Sequence, residues 1–153
     1  MPVGFTVDQT RSYTLPTRWQ RTRLGRSKGT RRRVTLELCA GIIDKDKPHV
    51  EIARDELREE CGYDAPAEAF KYITTFSYVS TASFKNSLYY VEVTDEMHTH
   101  PGGGAASEGE LIEVVELSIP EVREYIESKE VQSPPCLLYG VTWFLANKPE
   151  HCS

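Results

Sequence analysis

The sequence predicts an α/β or α+β sandwich in which a mixed β-sheet is packed between helices. Three observations support this fold class. Residues 34–40 alternate apolar and polar side chains, as a half-buried strand does, and residues 48–60 have the apolar spacing of a helix. Residues 72–78 and 87–93 are rich in aromatic and β-branched side chains, which favour strands. The 153 residues suffice for one domain with a modest core.

Each predicted element has a local signal. Gly41 interrupts the first strand where the backbone must turn or approach a ligand. Pro48 suits the first turn of the next helix, and Gly62 suits the position just beyond its end. Polar residues at Lys85-Asn86 predict a turn between two paired strands. The predicted order is β-α-β-β-β-α-α, ending with a strand at 111–117, a helix opened by Pro120 and a helix from Pro134 to Phe144.

Charge divides the chain into a basic N-terminal part and an acidic remainder. Residues 1–33 hold nine Arg and Lys against one acid (+8), and residues 34–153 hold nine against 22 acids (−13). Residues 17–33 also lack apolar periodicity, so we predict a flexible basic arm at 1–33 and a globular domain at 34–153. Such an arm contacts a polyanion, a membrane surface or nothing specific. The acidic body argues against nucleic-acid binding.

Composition also bears on location. No apolar run approaches the roughly 20 residues that cross a bilayer, and the N-terminus lacks an apolar signal-peptide centre. The four cysteines are scattered with no C-x-x-C pair, which predicts reduced thiols rather than zinc ligands. We therefore expect a cytoplasmic protein without membrane partners. The Arg-rich, acid-poor N-terminus is the basis of a mitochondrial alternative, against which its weak helical periodicity counts.

Three carboxylates mark a candidate metal site. Glu56, Glu59 and Glu60 stand at i, i+3 and i+4 of the predicted helix, a spacing that gathers them on one face. Like charges at this spacing oppose helix formation, so a cation would stabilise them. Hard carboxylate oxygens suit Mg²⁺, for which Mn²⁺ can substitute. A solvated acidic face is the alternative interpretation of an isolated run of this kind.

The pattern from Gly41 through Glu56, Glu59 and Glu60 to Gly62-Tyr63 has the spacing of the 23-residue box that defines the Nudix hydrolases. Further segments join the match, and together they resemble the UDP-glucose pyrophosphatase branch, which is close to the ADP-ribose pyrophosphatases. These segments are 37–41, 92–95, 101–104, 108–115 and 140–145.

The resemblance implies a fold, a reaction and a set of roles. It implies a Nudix-like sandwich that hydrolyses the diphosphate bond of nucleoside diphosphate sugars with Mg²⁺, as in UDP-glucose to UMP and glucose 1-phosphate, or of ADP-ribose. It also implies a homodimer, although the relatives carry a longer N-terminal region with several strands. The implied roles are metal ligands at Glu56, Glu60 and Glu110, catalytic groups at Glu108 (the general base) and Glu59, and substrate contacts at Ala40 and Gly41.

Two positions of the box depart from the family pattern. Lys47 stands where the first Glu is usual, and Asp55 stands where a basic residue is usual. We interpret them as an ion pair of reversed polarity, which a double-mutant cycle tests. These departures also favour an alternative function, a catalytically weak or inactive Nudix-like module that binds a nucleotide sugar or a protein partner.

Overall fold

A computed structural model describes residues 4–7, 11–14, 18–23, 34–43, 46–79, 83–104 and 112–151. From residue 34 onward, the described strands and helices follow one another much as predicted. The strands are Gly4–Val7 (β1), Arg11–Thr14 (β2), Arg18–Arg23 (β3), Val34–Glu37 (β4), Lys71–Val79 (β5), Ser83–Tyr90 (β6) and Ile112–Glu116 (β7). The helices are His49–Glu56 (α1), Ile119–Glu127 (α2) and Pro135–Asn147 (α3). None of the described helices is long and apolar enough to cross a membrane.

The strands form two sheets. One has the order β1-β2-β6-β5, in which β2 and β6 are parallel and the other neighbours antiparallel. The other has the order β4-β3-β7 and is antiparallel throughout. This mixed pairing, with helices on both sides, confirms the predicted fold class.

Successive residues of the chain point into two different apolar cores. Leu38 and Tyr90 belong to a core with α2 and α3, whereas the next residues, Cys39 and Val91, belong to a core with α1 and the turn that follows it. Side chains of extended backbone alternate between the two faces, so consecutive residues reach opposite layers. The α1 side carries the predicted site, and the α2–α3 side supports it from behind.

The local signals near the helix ends are confirmed. Pro120 lies in the first turn of α2, where Ser118 and Glu121 form a capping box. Pro134, predicted to open the last helix, is the N-cap residue of α3, which begins at Pro135. Gly62 ends the predicted metal helix with a φ of +82°, a left-handed conformation that favours glycine.

The turn predicted at Lys85-Asn86 is wrong. Both residues lie inside β6, where Lys85 pairs with Ser77 and Asn86 with Phe76, and Asn86 is buried. Ladder pairing with β5 and β2 on both sides outweighs the weak strand preference of these polar side chains.

Three strands lie in the segment for which the sequence predicted a basic arm. β1 and β2 extend the first sheet, and β3 stands in the middle of the second, paired with β4 on one side and β7 on the other. Long-range partners supply this pairing, which the arginine-rich sequence of β3 does not reveal by itself. The division of the chain at residue 33 stays a prediction.

An ionic cluster fastens the end of α3 to the sheet. The Lys148 ammonium donates to Glu92 Oε1 at 2.7 Å, and Tyr90 Oη and the His151 ring contact the same oxygen. The bonds from Lys148 and Tyr90 outweigh partial burial and lower the pKa of Glu92 from 4.5 to about 2. The lowered pKa means that folding favours the ionised carboxylate.

Replacing Glu92 should therefore change how stability depends on pH. A carboxylate whose pKa is lower in the folded chain stabilises the fold above its unfolded pKa of 4.5, and loses this effect as the pH falls towards about 2. We expect Glu92→Gln to lower the free energy of unfolding at neutral pH, modestly because solvent screens this partly exposed side chain. The deficit should shrink between about pH 5 and pH 3, as measured by urea unfolding. Glu68→Gln, at an exposed site, is the control, and a deficit independent of pH would contradict the assignment.

Candidate active site

The predicted metal helix consists of α1 and a single π-helical turn at Leu57–Cys61. Such turns contain an extra residue and occur frequently at functional sites. They also change the direction in which the following side chains point around the helix axis. Glu60 is only 7 % exposed and Glu56 is half-buried, whereas Glu59 is exposed to solvent. The structure thus separates Glu59 from the two carboxylates that face the protein.

The backbone after β4 lies directly against these two carboxylates. The Ala40 N–H donates to Glu60 Oε2 at 2.9 Å. Gly41 is buried, and a Cβ at this position would lie 1.9 Å from Glu56 Oε1. No side chain fits there, so glycine is required if Glu56 is to keep this position. The structure therefore brings together four residues that the sequence predicted as ligands and substrate contacts: Ala40, Gly41, Glu56 and Glu60.

A glycine loop at 101–104 is attached to the end of the same helix. The Gly103 N–H donates to the Glu60 carbonyl at 2.8 Å, and the Gly104 N–H donates to the Glu59 carbonyl at 3.2 Å. Gly102 has a φ of +65°, and a Cβ there would lie 2.7 Å from the Glu60 carbonyl oxygen. These contacts satisfy carbonyls at the helix C-terminus, which lack partners within the helix.

The predicted ligand Glu110 and the predicted base Glu108 lie outside the described residues. The residues on either side of their segment are described. Gly104 is bonded to Glu59, and the Ile112 N–H donates to the Gly103 carbonyl at 3.4 Å. The chain therefore leaves and re-enters the described structure beside the carboxylate helix. The roles of Glu108 and Glu110 stay predictions.

The predicted ion pair of Lys47 and Asp55 is present. The Lys47 ammonium contacts Asp55 Oδ2, and Arg54 Nη2 contacts Asp55 Oδ1 at 3.0 Å. Burial opposes ionisation of Asp55, but the hydrogen bonds from Lys47 and Arg54 outweigh it and lower the pKa of this carboxyl group. Sequence reasoning missed Arg54, although its position next to Asp55 was a visible signal.

Two buried thiols lie beneath the carboxylates. Cys39 precedes Ala40 and Cys61 follows Glu60, and both are fully buried. Burial, a hydrogen bond with Cys61 and the charges of Glu60 and Glu56 raise the pKa of Cys39. Cys39 is therefore a packing residue rather than a reactive thiolate.

The donor set at the site fits a hard divalent cation in part. Glu56 and Glu60 provide carboxylate oxygens, the ligands that Mg²⁺ and Mn²⁺ prefer. Among the described residues, no group of three or more His, Cys, Asp or Glu side chains is arranged to hold a metal ion. A third ligand from residues 105–111 would complete the set, and Glu110 is the predicted candidate.

Comparison with known proteins shows that the chain is a homologue of pyrophosphatases that act on nucleotide sugars. It is 36 % identical over 122 residues to uridine diphosphate glucose pyrophosphatase NUDT14 of Mus musculus, a match that covers 78 % of this chain and 55 % of that protein. The Bos taurus protein of the same name is 37 % identical over 115 residues, covering 74 % and 52 %. A GDP-mannose pyrophosphatase of Escherichia coli O1:K1 / APEC is 32 % identical over 103 residues, covering 67 % and 52 %.

These matches confirm the predicted resemblance to the UDP-glucose pyrophosphatase branch of the Nudix hydrolases. No family model matches the chain. The chain spans about half the length of the curated relatives that it matches.

The two glycines of the loop offer a test of its attachment. Gly102 and Gly103 both have positive φ, but only at Gly102 would a Cβ meet backbone atoms, since the nearest atom at Gly103 is 4.0 Å away. We expect Gly103→Ala to lower the free energy of unfolding by about 1 kcal/mol through backbone strain alone. Gly102→Ala should cost about 2–4 kcal/mol, because the helix end or the loop must also move. Urea unfolding of both variants measures the difference, and equal costs would contradict the contact with Glu60.

Proposed function

We propose that this chain hydrolyses the diphosphate bond of nucleoside diphosphate sugars in a reaction that requires Mg²⁺. UDP-glucose, giving UMP and glucose 1-phosphate, is the first substrate to test, and ADP-ribose is the second. The names of the relatives support the substrate class. The observation that carries the proposal is the contact of Glu56 and Glu60 with the backbone at Ala40 and Gly41. Homodimer formation and a cytoplasmic location belong to the same proposal.

The residues of the site have distinct roles in this reaction. Glu56 and Glu60 would hold the cation together with Glu110, and a bound divalent ion would neutralise the diphosphate and acidify a water molecule. The Ala40 N–H donates to Glu60 Oε2 and so fixes the direction of this carboxylate. The missing side chain of Gly41 makes room for the Glu56 carboxylate, next to backbone that the diphosphate would contact.

A proton must leave the attacking water. We assign its acceptance to Glu108, and a supporting catalytic role to Glu59, whose side chain is exposed and whose backbone carbonyl accepts from Gly104. The described ends of the segment that carries Glu108 lie at the carboxylate helix, which would allow this residue to reach the substrate.

A second candidate function is binding of a nucleotide sugar without turnover. It is favoured by the departures from the family pattern at Lys47 and Asp55. In that case the same site would bind UDP-glucose, and removal of a carboxylate would leave binding largely intact.

Turnover by the Glu60→Gln variant separates these functions. Glutamine keeps an oxygen that can accept from the Ala40 N–H but lacks the charge that a cation needs. We expect the rate of UMP release from UDP-glucose with Mg²⁺ to fall on the order of 100-fold or more. Chelation by EDTA should abolish turnover of the wild-type chain, and Mn²⁺ should restore it.

Glu68→Gln, an exposed glutamate outside the site, is the matched control and should retain full activity. A folded wild-type chain that binds UDP-glucose in calorimetry yet releases no UMP would contradict hydrolysis and support the binding function. Full activity of Glu60→Gln would contradict the metal-ligand assignment.

A further inference from the structure

β5 has an edge that no described strand covers. It stands at the end of its sheet and pairs, among the described strands, with β6 alone. Its nine residues contain no proline and a single charged side chain, Lys71, at the first position. Edges in soluble proteins are usually short, charged or interrupted by proline, because an uncovered row of N–H and C=O groups pairs with other chains. A bulge near Tyr72 leaves the pairing of residues 74–79 regular, so most of this edge can accept another strand.

The solvent face of α3 carries no charge. None of the 13 residues of this helix is Asp, Glu, Lys or Arg. Its exposed positions are Pro135, Tyr139, Thr142, Ala146 and Asn147. The exposed positions of α2 include four charged residues, as is usual for a helix face in water. Depletion of charge and enrichment in aromatic side chains are typical of the centre of a protein interface.

Aromatic contacts place α3 beside the β5 edge. The ring of Tyr139 meets the ring of Phe76 on β5 edge-on, with 5.6 Å between the ring centroids. The Lys71 ammonium lies 5.6 Å from the centroid of the Trp143 ring, and Trp143 also contacts Tyr90 at the end of β6. The helix therefore lies above the gap between β5 and β6.

Two strongly exposed aromatic side chains belong to the same region. Tyr139 on α3 is 47 % exposed, and Tyr72 on β5 is 54 % exposed. Exposed tyrosines beside an open edge are the side chains that most often supply the binding energy of an interface. The strand edge and the helix face thus form one continuous surface.

We propose that β5 and α3 form the surface on which a second copy of this chain binds. Two copies related by a two-fold axis would pair their β5 strands antiparallel, with Thr75, the middle of the nine residues, on the axis. The two four-stranded sheets would then join into one continuous sheet. The inference rests on the homodimer of the proposed function, to which it gives a surface.

The position of α3 favours a second copy over a single extended peptide as the occupant. Neighbouring strands lie about 4.8 Å apart, so a helix above the gap between β5 and β6 lies about 5 Å from an axis midway between two paired β5 strands. The two α3 helices would therefore be about 10 Å apart, a distance at which helices pack against each other. One symmetric contact would cover both the strand edge and the uncharged helix face. A peptide strand would cover the edge alone.

This pairing brings no like charges together. In the register centred on Thr75, Lys71 lies opposite Val79 of the other copy. Tyr139 contacts Phe76, the residue next to Thr75, so the Tyr139 side chains of the two copies would approach each other near the axis. A charge introduced at position 139 would therefore be introduced twice at the centre of the interface.

Sedimentation equilibrium of the full chain tests this surface. We expect the wild-type chain to be a dimer at micromolar concentration. Tyr139→Glu should raise the Kd of the dimer on the order of 100-fold or more, because two like charges would then meet near the axis. Ser77→Glu adds a charge to the exposed part of β5, where its partner in the ladder is Lys85. This variant should weaken the dimer and leave the folded monomer intact, since opposite charges on paired strands attract.

A control and a mixture complete the design. Lys129→Gln changes the net charge by the same amount as Tyr139→Glu, at an exposed site outside this surface, and should leave the Kd unchanged. A mixture of Tyr139→Glu and Tyr139→Lys chains should form a mixed dimer at least about tenfold tighter than the dimer of either variant alone, because opposite charges then meet. Urea unfolding shows whether each variant folds, and Ser77→Glu decides if Tyr139→Glu does not.

Two results would overturn the inference. A monomeric wild-type chain would overturn the homodimer and this surface together, and would leave the β5 edge to a different occupant. A wild-type dimer that neither Tyr139→Glu nor Ser77→Glu weakens would overturn this surface alone. UMP release from UDP-glucose is measured separately, so failure of the proposed hydrolysis would not affect either result.

Discussion

The buried carboxylate of Glu60 is the constraint on which the candidate site depends. A charged group with so little exposure is tolerated only where hydrogen bonds replace its water, and the Ala40 N–H supplies one such bond at 2.9 Å. This bond joins the end of β4 to a helical turn 20 residues later. The carbonyl of the same glutamate accepts from Gly103 in the glycine loop. One residue thus fixes the strand, the helix and the loop relative to one another.

The two apolar cores explain how the hydrogen bond between Ala40 and Glu60 is supported. Leu38 faces α2 and α3, whereas Cys39 faces the carboxylate helix, so the strand end is held from both sides just before Ala40. Cys39 and Cys61 contact each other directly beneath the Ala40–Glu60 bond, since each is the chain neighbour of one bonded residue. Close packing of buried side chains transmits small displacements. The packing of two inert thiols therefore bears on the geometry of a polar site.

The sequence correctly predicted those elements whose ends are set by residues close by in the chain. The metal helix, its end at Gly62 and the openings of α2 and α3 follow from glycine, proline and apolar spacing within a few residues. The sequence did not predict pairing between strands that are distant in the chain. The arginine-rich strand β3 pairs with both β4 and β7, and Asn86 lies inside β6. For the site, spacing identified Gly41, Glu56 and Glu60, but it did not reveal the π-helical turn at Leu57–Cys61, which changes the direction of the Glu59 side chain.

The acidic helix also shows that carboxylates close together in the sequence can have different surroundings in the structure. The run from Asp55 to Glu60 has four carboxylates in six residues, which spacing alone would gather into one repulsive cluster. In the structure, Asp55 faces two cations, Glu59 faces solvent, and Glu56 and Glu60 face the backbone at Ala40 and Gly41. The repulsion that a bound cation could relieve is therefore mainly that between the carboxylates of Glu56 and Glu60. Metal affinity should therefore depend on these two glutamates and on what residues 105–111 add, rather than on the total charge of the helix.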